Sequence, residues 1–380
     1  IVEKGKITKS LISNLLDIKK KELPLVNEEF IDKALKDSVQ VHQRSDVPYC
    51  LFFSGGIDSM LIMYFMSKLN LSKKMAFTLK FDEVDNNLDD YTEYLSKRFN
   101  IEFLKIPFDE NDFWNLLPHA AKILDDPVAD YAVLPTIKLA KEASKDFKVV
   151  ITGEGGDEIF GGYGRYRSMA RFFFRRKKYF KGCFRKFSNF KETLSGWDSD
   201  LDMLGERISS LSLSSLQKFQ WFDYQNWLPN DLLIKLDRCL MAYGLEGRTP
   251  LIDKKIFQNF FFVPDKNKIN KGFGKFFIRN FLKNKVDFYD PFRKKKGFTV
   301  PIDIWLPKKI DFLEEHLPKI DFLKTFFAKD DILQLCKLAR YDKKSIRALW
   351  NIVFFSTWYA VHVKKIKSNG NFFEIIEQVK

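Results

Sequence analysis

The sequence predicts an α/β fold: a parallel sheet with helices on both faces, followed by a mainly helical second half. Three observations predict it. Short, wholly apolar runs alternate with helix-length segments up to Gly164. Two of those runs end in glycine-rich turns. Beyond Gly164 the strand signals fade, and long aromatic-rich segments of helical character continue to Val363.

Each element has its own justification. Residues 27–43 read as a helix, because Asn27 can cap it and Ile31, Leu35 and Val39 recur every fourth residue. Ser45-Asp46-Val47-Pro48 breaks it. Tyr49-Cys50-Leu51-Phe52-Phe53 is apolar throughout, the signature of a strand buried on both faces. It runs into Ser54-Gly55-Gly56 and then an apolar helix over 60–69. Residues 75–81, 101–108 and 147–152 read as further strands, with helices near 90–99, 114–124 and 134–143 between them. Strands and helices alternating at this length imply a parallel sheet. The expected organisation is an N-terminal lead and helix over 1–45, an α/β core over 46–164 and a helical region of the same unit over 165–380.

Composition narrows the class. With 45% apolar residues, 40 Phe, 13 Pro and 18 Gly in 380 residues, disordered and collagen-like chains are excluded. The balance of 64 Lys+Arg against 50 Asp+Glu, +14 net, favours polyanions such as nucleotides, nucleic acid or an acidic membrane. The excess is spread along the chain. It is densest in Arg165, Arg167, Arg171, Arg175, Arg176, Lys177, Lys178, Lys181, Arg185 and Lys186, interleaved with Phe172-Phe173-Phe174 and Tyr179-Phe180. That stretch reads as a helix with solvated charges, in preference to a nucleic-acid platform. Cys50, Cys183, Cys239 and Cys336 form no C-x-x-C pair, and so few cysteines suit a reducing cytoplasm. Residues 348–363 carry no Lys, Arg, Asp or Glu, yet fall short of the ~20 residues a membrane span needs. They read as a buried core helix, so no membrane partner is expected. No signal peptide is legible from Ile1 onward.

The chemistry is carried by two motifs. Ser54-Gly55-Gly56-Ile57-Asp58-Ser59 sits at a strand-to-helix turn. Its glycines let backbone approach an anion, and successive N–H groups and the helix N-terminus point at it. Ser54 and Ser59 can donate to phosphate oxygens. Asp58 repels phosphate, so it makes sense only with a Mg²⁺ between them. The G-x-x-x-x-G-K-[ST] lysine is missing, so this is not a Walker loop; the motif resembles the pyrophosphate-binding loop of enzymes that cleave ATP between its α and β phosphates. The second motif, Ile151-Thr152-Gly153-Glu154-Gly155-Gly156-Asp157-Glu158-Ile159-Phe160-Gly161-Gly162-Tyr163, also follows a buried strand. Parallel strands end on one side, so its carboxylates can face the first loop. Three acids within five residues are costly without cations, and suit a metal ligand plus a general base.

Taken with segments elsewhere, the chain resembles the synthetase domain of the asparagine synthetase family, which includes β-lactam synthetases and lasso-peptide cyclases. The matching segments are Asp126-Pro127, Leu228-Pro229-x-Asp231-x-Leu233-x-Lys235-x-Asp237-Arg238, then Met241-Ala242-x-x-Leu245-Glu246-x-Arg248-x-Pro250-Leu251-x-Asp253. Lys275, Arg279, Arg293-x-Lys295-x-Gly297-Phe298-x-x-Pro301 and Leu349-Trp350-Asn351 follow in order. The resemblance implies an ATP-dependent carbon–nitrogen ligase with ATP and Mg²⁺, a small carboxylic acid as substrate and ammonia as acceptor. Aspartate conversion to asparagine through an acyl-adenylate is the first reading. The same chemistry on a sugar acid, peptide or β-lactam precursor is the alternative. A tRNA-modifying pyrophosphate-loop enzyme is a third that leaves the Glu154 motif unexplained.

The resemblance also implies roles. Ser54, Gly55, Gly56, Asp58 and Ser59 would hold the pyrophosphate, with Phe53, Leu79 and Gly153 at the adenosine. Asp58 and Asp157 would hold Mg²⁺, Glu154 would be the general base, and Lys295, or its neighbour Lys294 or Lys296, would offset phosphate charge. Asp237, Arg238, Glu246 and Arg248 lie in the segment that shapes the acyl-substrate side, or serve as structural ion pairs. Family amidotransferases carry an N-terminal glutaminase domain that starts with cysteine, and none precedes Ile31 here. The expectation is that the domain was removed, that the chain uses free ammonia, or that a partner supplies it.

Overall fold

The computed structural model describes residues 2–3, 6–7, 26–69, 74–81, 88–170, 184, 196, 198–286, 288–293 and 300–379. Val2–Glu3 (β1) and Lys6–Ile7 (β2) pair as a short antiparallel ribbon. The first helix, α1, spans Glu28–His42, and Asn27 caps it by accepting a hydrogen bond from Phe30 N at 2.9 Å. The main sheet is built from Tyr49–Phe52 (β3), Lys74–Lys80 (β4), Ile101–Pro107 (β5), Val149–Ile151 (β6) and Glu246–Arg248 (β7). All neighbours run parallel, in the order β5-β4-β3-β6-β7. The fold is therefore α/β, as the alternation of apolar runs requires.

The chain builds β3, β4 and β5 outward in one direction, then returns to lay β6 on the other side of β3. That reversal opens a crevice at the carboxyl ends of β3 and β6, where open α/β sheets bind ligands. Leu51 pairs with Ile151, so the residues after both strands emerge side by side. Both sequence motifs lie there.

Period-two alternation divides β3 between two cores. Cys50 and Phe52 face one cluster with Phe77, Trp114, Trp305 and Trp350. Leu51 and Phe53 face the other, with Phe65, Phe257, Phe260 and Phe281. Helices Ile57–Leu69 (α2), Leu88–Phe99 (α3), Glu110–Ile123 (α4) and Val133–Ala143 (α5) connect the strands. The charge-free run near the end lies in a helix, Lys343–His362, whose Trp350 Nε1 donates to Ala129 O at 2.7 Å. It is buried against α4, and no helix among the described residues is long and apolar enough to cross a membrane.

Two features differ from the expectation. The apolar helix begins at Ile57, three residues before the expected 60, because Met60 N already bonds Gly56 O at 2.9 Å. Its first turn thus belongs to the glycine loop. The second difference is β7, a strand inside the expected helical region. Glu246-Gly247-Arg248 has no β-branched or aromatic residue, and it is extended because Val149–Ile151 offers it an open edge. A Cβ on Gly247 would meet Leu240 Cδ1 at 2.7 Å, so the strand lies against its own preceding helix.

Cys50, Cys239 and Cys336 are buried free thiols. Of the basic stretch, Arg165 and Arg167 are described, and Arg165 is exposed while also making specific contacts. It clamps Asp223 at 2.8 Å and stacks over Tyr163 at 4.1 Å. Residues 171–183, Cys183 among them, and 185–186 lie outside the described residues.

Candidate active site

The first loop closes on itself. Gly55 takes φ +68°, which an L side chain resists. Gly56 N donates to Ser54 Oγ at 3.3 Å, Ser54 N donates to Ser59 Oγ at 3.3 Å, and the two hydroxyls lie 3.2 Å apart. The helix start of α2 is thereby held beneath a turn of backbone N–H groups.

The second loop presses directly on the first. A Cβ on Gly156 would sit 2.4 Å from Asp58 Oδ1, and one on Gly162 would sit 1.7 Å from Asp157 Oδ1 and 2.2 Å from Lys275 Cε. These glycines are there for close approach. Through that approach Asp58 and Asp157 share one ammonium: Lys275 Nζ lies 2.5 Å from Asp58 Oδ2 and 2.7 Å from Asp157 Oδ1, with 4% of its side chain exposed. Lys275 has φ +54° at the start of the helix Phe276–Lys285. Its neighbour Gly274 allows this turn to dock, since a Cβ there would meet Gly161 O at 2.4 Å. Backbone cannot yield as a side-chain tip can. Gly274→Ala is expected to cost about 1–3 kcal/mol by overpacking, read as a lower melting temperature. An unchanged melt would show that the two loops are free to separate.

Asp58 Oδ1 is buried without a hydrogen-bond partner. Two hard carboxylates, one with an orphaned oxygen, beside an anion-binding loop fit Mg²⁺, which takes one or two carboxylates and draws its other ligands from phosphate and water. Among the described residues no three His, Cys, Asp or Glu side chains form a self-sufficient metal cluster.

Both loops open on a cavity of about 310 Å³. Phe52, Leu79, Pro135, Leu139, Leu232 and Leu236 supply apolar wall, while Ser54, Asp58, Ser59, Glu154, Asp157 and Lys235 supply polar groups. Glu154 lies 3.9 Å from Lys235 Nζ. Burial pushes the Glu154 carboxyl above its ordinary range; Lys235 opposes that, while Asp130, Asp157 and Asp58 add to it. Behind it, Glu158 is buried, and burial with Asp157 pushes its carboxyl up to about 8. Tyr163 donates to Glu158 at 2.5 Å. Gln220 braces the same turn by donating to Ile159 O at 2.9 Å, and Lys268, a buried amine, donates to Gln220 at 2.8 Å. Burial lowers the Lys268 pKa to about 7.

Of the expected site residues, Ser54, Gly56, Asp58, Ser59, Leu79, Gly153, Glu154 and Asp157 meet around this one cavity. Gly55 sits at the turn just outside it. Phe53 turns its ring into the core against Phe103 at 5.2 Å, and Phe52 lines the wall instead. Asp237 is exposed and pairs with Arg238, which reaches Asp125 at 2.6 Å. Arg248 pairs with Glu246 at 2.7 Å and donates to His42 O at 2.9 Å, tying β7 to α1. None of these four lines the cavity. Lys294, Lys295 and Lys296 lie outside the described residues. Just before them, Arg293 stacks on Tyr91 at 4.6 Å and donates to Gly55 O at 3.2 Å, beside the first loop.

Lys235 carries no role in the sequence reading, although it stands in the same segment as Asp237 and Arg238. Helical geometry was the available signal. Residues two apart face opposite ways, so Lys235 and Asp237 cannot share a face, and Lys235 goes in with Leu236, Cys239 and Leu240.

A family model for asparagine synthase matches residues 31–360. The chain is 29% identical to asparagine synthetase (glutamine-hydrolyzing) 1 of Bacillus subtilis, over 93% of this chain and 62% of that protein. It is 28% identical to a putative asparagine synthetase (glutamine-hydrolyzing) of Mycobacterium bovis, over 88% of this chain and 58% of that one. The chain thus spans about three fifths of the length of these curated relatives. Among solved structures, a U34-tRNA thiolase from Methanococcus maripaludis aligns with 57% of this chain and 79% of its own at 16% identity. Its TM-score of 0.28 is too low to carry an argument.

Proposed function

The chain belongs to the asparagine synthase family, and from that membership we propose an ATP-dependent amide ligase that splits ATP into AMP and pyrophosphate. The observation that carries the reading is the pairing of Asp58 with Asp157 on one cation, at the mouth of a cavity that also holds Glu154. Phosphate-binding loop, metal-type carboxylates and a base candidate thereby surround a single space.

A carboxylate is a poor electrophile. In the proposed first step a substrate carboxylate oxygen attacks the α-phosphorus of ATP, the bond to the β-phosphate oxygen breaks, and pyrophosphate leaves. The Ser54–Ser59 loop holds that leaving group through backbone N–H and hydroxyl donors. Leu79, Phe52 and Leu139 provide an apolar seat for the base and ribose. Asp58 and Asp157 would hold Mg²⁺, which would screen phosphate charge when bound. Lys295 would add to that screening. In the second step ammonia attacks the acyl carbon and forms the C–N bond, Glu154 takes the proton the nitrogen sheds, the acyl C–O bond to AMP breaks, and AMP leaves with that bond's electron pair.

Aspartate is the proposed acid and asparagine the product. A second reading, the same chemistry on another acid, is favoured by Gly244 and Leu251-Ile252, which depart from the family's usual S-L-E-x-R-x-P-F-L-D wording next to this site. Ile252 Cγ2 would lie 1.8 Å from a Cβ on Gly155, so this departure touches the second loop. A panel of carboxylic acids with ATP and ammonia, resolved by chromatography, tests both. AMP and pyrophosphate released only with aspartate support the first reading, and release with a different acid supports the second. ADP and phosphate from every acid would overturn the proposal. The 380-residue chain is expected to form amide from ammonia; a glutamine-supported rate matching the ammonia rate would contradict that nitrogen source.

A further inference from the structure

We propose that Lys235, held by Asp130, is a positioning residue that keeps the Glu154 carboxylate ionised and facing the cavity. The inference rests on Glu154 serving as the base.

The geometry assigns the two carboxylates unequal shares of one ammonium. Lys235 is buried, with 5% of its side chain exposed, on the helix Ile234–Met241. Its Nζ lies 2.7 Å from Asp130 Oδ2, a direct hydrogen bond, and 3.9 Å from Glu154 Oε1, which is beyond one. Asp130 is itself anchored, its Oδ1 accepting from Ala132 N at 2.9 Å. The Asp130 bond therefore fixes the ammonium, and the fixed ammonium sets the field at Glu154. A lysine bonded directly to Glu154 would occupy one of the carboxylate's acceptor sites and lower its basicity. At 3.9 Å it favours the charged form and leaves the lone pairs open to a proton.

The groups facing Glu154 come from every side. Lys235 is the cation; Asp130 precedes α5, Asp157 follows β6, and Asp58 opens α2. Asp231 stands one turn before Lys235, and burial with Asp130 pushes its carboxyl up to about 7. Burial works against the Lys235 ammonium, but Asp130 and then Glu154 outweigh it and hold the lysine protonated.

The signs of the test follow. Removing Lys235 takes away the cation that favours the Glu154 carboxylate, so the base is lost at a higher pH. Removing the Asp130 charge takes away a repelling neighbour and frees Lys235 for Glu154, so the base persists to a lower pH. The pH dependence of amide synthesis would be measured at constant free ammonia on Lys235→Met, Lys235→Arg and Asp130→Asn, with pyrophosphate exchange and thermal melts alongside. The acid limb of Lys235→Met is expected to move up by about one pH unit or more. Asp130→Asn should move it down, Lys235→Arg should restore it, and exchange should stay within about tenfold of the parent in all three. A limb that stays put in both charge-removing variants, or moves the same way in both, overturns the proposal. Exchange lost as completely as amide synthesis also overturns it, because Lys235 would then contact substrate or only hold the fold. If Lys235→Met does not melt cooperatively, the direction of the Asp130→Asn limb decides. Glu154→Gln separates the two failures. If it keeps full amide synthesis, the base assignment itself is wrong; if it loses amide synthesis while the limbs do not move, only the role of Lys235 is.

Discussion

Asp58→Asn is expected to lose pyrophosphate exchange and amide synthesis together, each by about 10²–10³-fold, the cost of one preorganised electrostatic group. Asp58 stands in the first turn of α2, where the helix N-terminus favours a carboxylate, but beside the phosphate proposed for this loop it would be repelled unless a cation stood between. Its Oδ1 is buried without a partner, and its Oδ2 shares Lys275 with Asp157. Asparagine keeps the shape and removes the charge. Lys275 keeps Asp157, so the clasp retains one of its two carboxylates. In the proposed mechanism both half-reactions pass through the adenylate, so both should fall, and a melt close to the parent would assign the loss to chemistry. If exchange survives at more than about a tenth of the parent rate, Asp58 is not the metal-side carboxylate of the first step.

Glu154→Gln should divide the half-reactions. The amide keeps the size of the side chain and its hydrogen bonding, and cannot accept a proton. Amide synthesis is expected to fall by about 10²–10⁴-fold, the usual contribution of a general base. Pyrophosphate exchange, which moves no proton from nitrogen, should persist in the presence of the acyl substrate. The position supports this division: Glu154 lines the same cavity as Asp58 but faces Lys235, with 31% of its side chain exposed to the space. Loss of exchange as complete as that of Asp58→Asn would make Glu154 a metal ligand or a structural acid. Undiminished amide synthesis would move the base elsewhere.

The helices and strands of the α/β half were legible because their signals are local. Asn27 caps α1 through its own side chain, and the apolar run of β3 needs two buried faces whatever surrounds it. The strand β7 was not legible. Glu246-Gly247-Arg248 has no intrinsic preference for extension, and its backbone is paired by an edge that β6, some hundred positions earlier, leaves open.

The candidate site divides the same way. Sequence alone determined that two glycine-rich turns follow two buried strands, and that carboxylates stand in each. Parallel strands force such turns to one side of the sheet, because every strand points the same way. It also determined the core helix near the C-terminus, from a run without charges. Only the tertiary structure decided which strands are neighbours, and hence that Asp58 and Asp157 come to share Lys275. Only packing decided that Lys235 faces Glu154 while Asp237 and Arg238 turn to the surface. A segment's sequence states which groups it carries and in what rhythm. Which of its faces is buried, and against what, is set by elements distant in the chain, whose hydrophobic contacts outweigh local preference.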